Sequence, residues 1–339
     1  TIMSSVNPIM TLLMNAGITA VVALAANRVF NHQSDPETVI AFMQYFTLIS
    51  MALMSLSRMF VMYTKCAASA RRISEILDTP NTFPIEEDDG MGNEDEHISF
   101  ENVTFSYFGK KPNLDNINFS LPHGGTLGII GATGSGKSTI VKLLLRFYDA
   151  DSGVIRINGK KLSSYTSDEL TSMFGVALQN DFLYADTIEE NICFGRDISH
   201  DGVVKAAKIA QAHDFIFATP DGYDYKISAK GTNISGGQRQ RLLIARAIAA
   251  KPDILILDDS SSALDYKTDA NLRKALKENM TDTTVITVAQ RVSSVKDCDI
   301  IIVLDNGKII GKGKHAELLE NCPEYKQISD SQMGGAFLD

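Results

Sequence analysis

The stretch Gly131-Ala132-Thr133-Gly134-Ser135-Gly136-Lys137-Ser138 decides the fold. It follows a short apolar run, Thr126 to Ile130, and precedes an apolar-periodic segment through Leu143, Leu144 and Leu145. Strand, glycine-rich turn and helix in that order make a phosphate-binding loop. The glycines let backbone N–H groups turn inward around phosphate oxygens, and the helix N-terminus adds its dipole. Lys137 neutralises the terminal phosphates, and the Ser138 hydroxyl can ligate Mg²⁺. Thr139, the next residue, is counted with the same nucleotide-binding set. A chance match of this pattern occurs in roughly one chain in a hundred of this length, before the strand and helix are required.

A second apolar run, Ile254-Leu255-Ile256-Leu257, ends in Asp258-Asp259. An unbroken apolar run of this length reads as a parallel strand buried on both faces, with carboxylates at its C-terminal edge. Ligands bind at that edge in open α/β sheets. Asp258 is placed for the Mg²⁺ shell, and Asp259 is the candidate for orienting an attacking water.

These elements specify a phosphate-loop ATPase; a third stretch narrows it. Ile234-Ser235-Gly236-Gly237-Gln238 opens another helix with a serine and two glycines, a second anion-binding pattern more than 90 residues from the first. It resembles the signature of ABC transporters, usually Leu-Ser-Gly-Gly-Gln, and specifically that of exporters. Further residues follow in the family's order: Tyr107 at the adenine-stacking position, Gln179 at the Mg²⁺-contacting and membrane-sensing glutamine, and Asp265 in the loop that communicates across the dimer. Gly313 to Leu318 resembles the family's C-terminal pattern. The resemblance implies an α/β nucleotide-binding domain with a RecA-like core, an antiparallel β part and a helical subdomain. It implies ATP and Mg²⁺ as cofactors, and a signature that closes over ATP held by an opposing subunit.

Two positions depart from the family pattern. Asp259 stands where a catalytic Glu is usual, and Gln290 stands where the switch histidine is expected after Val288-Ala289. Losing a methylene pulls the carboxylate back by roughly 1.5 Å, and Gln cannot become cationic or relay a proton as His can. Ala229 replaces a glutamate that many exporters carry before the signature. The combination resembles the degenerate half of a heterodimeric exporter, with a weakly active site of its own and a signature that completes the partner's site. A slow homodimer is the alternative within the same resemblance.

The N-terminal region agrees with a membrane protein. Val6 to Ala26 carries no charged side chain, and Val39 to Ser57 is a second such run that continues past Arg58. Each reaches roughly the 30 Å of a hydrocarbon core. Helices are expected over about 6–27 and 38–77, joined by a polar loop from Asn31 to Pro36. Arg58, Lys65, Arg71 and Arg72 beyond the second run place the C-terminal end in the cytosol by the positive-inside tendency. The expected location is the plasma (inner) membrane, multi-pass, with the nucleotide-binding domain cytosolic.

Residues 1–78 are therefore expected to be the C-terminal part of a transmembrane domain, 79–96 an acidic linker and 97–339 the nucleotide-binding domain. Seven of the nine net negative charges sit in Glu86, Glu87, Asp88, Asp89, Glu94, Asp95 and Glu96, a run expected to be solvated. Cys66, Cys193, Cys298 and Cys322 lack the spacing of a zinc site or a disulfide framework and are expected to be reduced. Two helices enclose no transport path, and the chain opens on Thr1, so it is expected to be a piece of a longer polypeptide. The implied partners are a second half-transporter, the lipid bilayer and a transported substrate; lipids, drugs and peptides are all compatible. No coiled coil, zinc module or tandem cassette points to nucleic acid.

Overall fold

The computed structural model describes residues 2–33, 35–79, 83–179, 181–260 and 262–334. The chain divides into two compact units between residues 82 and 83.

The first unit is two helices, α1 (Ile2–Phe30) and α2 (Pro36–Leu77). Both are long and apolar enough to cross a membrane. Pro8 lies in the second turn of α1, and Pro36 opens α2, where its missing N–H costs nothing. The α1 helix extends beyond the expected 6–27 at both ends, and α2 starts two residues before 38. Leu12, Leu24, Phe42, Leu48 and Phe60 are exposed, so neither helix has the polar face that a helix of a soluble bundle keeps. Ser34, in the connecting loop, lies outside the described residues.

The second unit begins with β1 (Glu96–Phe105), β2 (Leu114–Pro122) and β3 (Thr126–Gly131), then α3 (Lys137–Leu144). Next come β4 (Ser152–Ile157), β5 (Lys160–Lys161), α4 (Ser167–Met173) and β6 (Phe174–Ala177). Four helices follow: α5 (Ile188–Cys193), α6 (His200–Ile209), α7 (His213–Phe217) and α8 (Gly236–Ala249). The chain then forms β7 (Ile254–Asp258), α9 (Tyr266–Asn279), β8 (Thr284–Val288) and α10 (Val292–Val295). It ends in β9 (Ile300–Asp305), β10 (Lys308–Gly313), α11 (His315–Asn321) and α12 (Pro323–Gly334).

Two sheets organise these elements. One is antiparallel, in the order β2-β1-β4-β5; the other has the order β10-β9-β3-β8-β7-β6 and is parallel except for β10. Every residue of β7 is buried, as the unbroken apolar run requires of a strand covered on both faces. Helices α5 to α8 pack around Ile192, Val203, Ala207 and Leu243, and this core continues to Leu255 and Leu257 of β7. Ile98, Phe100 and Phe119 of the antiparallel sheet share a core with Ile140 and Leu143 of α3.

The acidic residues stay exposed as expected from Glu86 to Asp95, but part of the run is tied to the domain. Asp89 receives two hydrogen bonds from Arg156, at 2.7 and 3.0 Å, and pairs with Lys161 Nζ at 3.0 Å. Glu86 accepts from Ser163 Oγ at 2.7 Å, and Asp88 accepts from the Lys161 backbone N–H at 2.9 Å. Arg156 is buried on β4, where an unpaired guanidinium is costly, and the acidic segment supplies its counter-charge together with Glu101 of β1, at 3.2 Å. The Asp89 carboxyl is held well below the usual range, chiefly by the Arg156 hydrogen bonds.

Candidate functional site

Four neighbouring parallel strands, β3, β8, β7 and β6, finish on one edge of the sheet. The residues just past those ends are the phosphate loop, Gln290, Asp259 and Gln179. Strand order therefore assembles residues that are far apart in sequence. They line a cavity of about 250 Å³, which includes Gly134, Gly136, Lys137, Ser138, Thr139 and Asp258.

The loop's shape depends on its glycines at two points. Gly136 has φ 108°, and a Cβ there would sit 2.7 Å from Leu114 Cδ2. A Cβ on Gly131 would sit 2.2 Å from the Leu304 carbonyl oxygen. Lys137 opens α3 and folds back over the loop, donating Nζ to the carbonyls of Gly131 at 2.8 Å and Ala132 at 2.9 Å. Burial pushes its pKa down, and the charges of Asp259 and Asp258 oppose that shift. Ser135 Oγ is buried and has no hydrogen-bond partner among the described residues. A glycine-rich polar loop with an inward cation fits a ligand rich in anionic oxygens; Ser135 does not line the cavity.

Asp258 lies 3.4 Å from Ser138 Oγ, which donates to it. Burial raises the Asp258 pKa, and the neighbouring Asp259 charge raises it further, against the Ser138 hydrogen bond. Hard oxygen donors beside a phosphate loop are a suitable donor set for Mg²⁺.

Asp259 has φ 49°, in the left-handed region, and its N–H donates to the Val288 carbonyl at 2.9 Å. Its Oδ2 accepts from two amides, Gln179 Nε2 at 3.0 Å and Gln290 Nε2 at 3.1 Å. Burial pushes its pKa up, opposed first by the Lys137 charge and then by these amides. Both positions that depart from the family pattern therefore meet at one carboxylate oxygen.

The other expected residues lie elsewhere. Tyr107 does not line the cavity. Its hydroxyl is 3.4 Å from Thr139 Oγ1, and its ring meets Phe105 and Tyr148 edge-on, with centroids 4.9 and 5.0 Å away. Ile234, Ser235, Gly236, Gly237 and Gln238 sit at the start of α8, away from the cavity lining. Ser235 and Gln238 form a reciprocal cap: Gln238 N–H donates to Ser235 Oγ at 3.2 Å, and Ser235 N–H donates to Gln238 Oε1 at 2.9 Å. Asp265 caps α9, accepting from the Thr268 N–H at 2.9 Å and from its hydroxyl at 2.7 Å. Asn113 lines the cavity and accepts from the Tyr107 N–H at 3.1 Å; no motif marked it in advance.

Known proteins share this arrangement. The profile of the ABC transporter family matches residues 114–262. The ABC transporter ATP-binding protein YknU of Bacillus subtilis is 39% identical over 338 residues, covering 98% of this chain and 57% of YknU. A fatty acid ABC transporter ATP-binding/permease protein of Mycobacterium tuberculosis is 36% identical over 325 residues, covering 96% of this chain and 51% of that protein. A solved structure of a bacterial Atm1-family ABC exporter with ATP bound matches 94% of this chain and 56% of its own, with a TM-score of 0.71 and 30% identity. The chain thus spans about half the length of the relatives it matches. On these matches the chain belongs to the ABC transporter family.

Proposed function

We propose that this chain is the ATP-binding, C-terminal part of an ABC exporter subunit, and that its own nucleotide site is the weakly hydrolysing one of a heterodimer. The observation that carries the asymmetry is the Asp259 carboxylate, which receives amide hydrogen bonds from both Gln179 and Gln290.

ATP enters the cavity with its phosphates against the loop N–H groups and Lys137. Ser138, Asp258 and Gln179 would hold Mg²⁺, which would supply charge neutralisation at the phosphate oxygens. Hydrolysis then needs a base within about 3 Å of the attacking water. Asp259 is a methylene shorter than the usual Glu, and one of its oxygens is already engaged by two amides. Gln290 donates to the carboxylate as an amide and offers no proton relay. Binding is thereby retained while the chemical step is slow.

The second anion-binding terminus, Ser235 with Gly236 and Gly237, is separate from this cavity. It is suited to a nucleotide held by another subunit, with Asp265 close to the same boundary. Helices α1 and α2 lie in a bilayer in this reading, with the basic residues after the second apolar run on the cytosolic side. ATP-driven closure of two such domains is coupled to movement of a substrate.

The test is purification of the full-length subunit with and without its partner. The subunit alone should bind ATP with Mg²⁺ and hydrolyse it slowly, and hydrolysis should appear with the partner. Full activity of the subunit alone would favour a homodimer and defeat the asymmetric reading.

A further inference from the structure

Helix α12 reaches the nucleotide site through one side chain. Tyr325, Ile328, Ser329 and Gln332 fall at i, i+3, i+4 and i+7, so they share one face. Tyr325 is fully buried, together with Val292, Val295, Leu318 and Cys322, and Ile328 packs on the same cluster. This face fixes α12 against α10 and brings Gln332 to the segment just past β8.

The Gln332 amide is used at both ends. Its Nε2 donates to the Gln290 carbonyl at 2.8 Å, and its Oε1 accepts from the Val292 N–H at 2.8 Å. A donor and an acceptor held at once fix which end of the amide is which. Val292 begins α10, where backbone N–H groups lack intrahelical partners, and Arg291 at the cap position offers no capping side chain. Arg291 instead donates to the carbonyls of Leu264 at 3.0 Å and Ser262 at 3.2 Å. Gln332, 40 residues further on, supplies the missing cap. It also borders a second cavity of about 400 Å³, shared with Asp259, Ser262, Tyr266, Gln290 and Arg291.

We propose that Gln332 is a positioning residue for the Gln290 loop, through which α12 controls how long the phosphate cavity keeps its nucleotide. The proposal rests on the ATP-binding reading above. Val288, Ala289 and Gln290 form one wall of that cavity, and the Gln290 side chain reaches Asp259 from a backbone that Gln332 holds on both sides of Arg291. Releasing the backbone frees that wall to move away from the phosphates. Gln332→Leu removes both hydrogen bonds with little change of volume. Gln332→Glu keeps the acceptor for Val292 and makes the donor to Gln290 depend on protonation.

The experiment measures release of a fluorescent N-methylanthraniloyl ATP with Mg²⁺ from the full-length subunit, chased with excess ATP between pH 4.5 and 8. Gln332→Leu should release nucleotide about tenfold faster than wild type at every pH, the scale of one hydrogen bond. Gln332→Glu should release nucleotide faster than wild type at pH 8, where its carboxylate has no proton to give the Gln290 carbonyl, and move toward wild type at pH 4.5, close to the ordinary Glu pKa of about 4.3, where a protonated carboxyl again donates. A purely structural role would leave the Glu variant's rate relative to wild type flat with pH, and that result overturns the proposal. The Glu variant is compared with itself across pH, so the test stands even if the Leu variant misfolds. Unchanged release in both variants of a nucleotide-binding protein sinks the coupling alone. Failure of the wild type to bind the analogue sinks the functional reading and the coupling with it.

Discussion

His97 of β1 and Thr284 of β8 share a hydrogen bond of 2.6 Å, joining the antiparallel sheet to the parallel one. His97 is 1% exposed, its ring stacks on His123 with centroids 3.9 Å apart, and its Nε2 has no partner among the described residues. Burial pushes its pKa down to about 4, and the His123 charge adds to that, against a weaker pull from Asp253.

This histidine predicts acid sensitivity. Between pH 6.5 and about 4 the unfolded chain takes up a proton that folded His97 refuses. Its contribution is therefore present above pH 6.5 and is lost as pH falls toward 4, up to about 3 kcal/mol in all. Thermal unfolding of the full-length subunit across this range should show Tm falling, and His97→Gln should flatten that slope. An unchanged slope in the variant would remove His97 as its source.

The clasp between the acidic segment and Arg156 predicts a second stability effect. Asp89→Asn should lower Tm at pH 7, whereas the same change at exposed Glu87 should not. Because the Asp89 pKa is depressed, its contribution is present above the ordinary carboxylate range and disappears as pH falls through the folded value. Equal effects at both positions would mean that Arg156 does not fasten this segment.

These two effects mark what the sequence hides. The phosphate loop, the Ile254 to Asp258 strand and the Ser235 cap are local patterns, and each was readable from consecutive residues. The meeting of Gln179, Asp259 and Gln290 depends on strands β6, β7 and β8 being neighbours, which no spacing along the chain states. The sequence shows the acidic run only as solvated, because the partner Arg156 lies 67 residues from Asp89. Gln332 carries a faint signal, its helical register with Tyr325, but a polar residue on an apolar face does not announce what it touches.

For nucleotide binding, Lys137→Ala should weaken ATP affinity by about a hundredfold, since it removes a buried cation with charge-assisted hydrogen bonds. Isothermal titration on the full-length subunit measures this directly. Unchanged affinity would separate the phosphate loop from the nucleotide.

The proposed membrane orientation rests on the basic residues after the second apolar run. A cysteine placed at Gln33, in the loop between α1 and α2, should react with a membrane-impermeant thiol reagent in intact cells. Cys66 and the later cysteines should react only after lysis. Labelling of those cysteines in intact cells would reverse the topology.

The asymmetry has the most direct kinetic test. On the asymmetric reading proposed above, both composite sites of the subunit alone would combine Asp259 with Gln290, and turnover should be slow. Restoring Asp259→Glu and Gln290→His together should raise it by an order of magnitude or more, as placement of a general base typically contributes about 10²–10⁴-fold. In the complete pair the sensitivities invert. Ser235 opens α8 away from this chain's own phosphate cavity, so Ser235→Ala should cripple hydrolysis at the partner's site. Asp259→Asn should cost little there, because its site contributes little turnover to lose. Steady-state ATPase rates of the reconstituted pair carrying each single change decide the matter. Equal damage from Asp259→Asn and Ser235→Ala would place real chemistry at Asp259 and favour an exporter with two working sites.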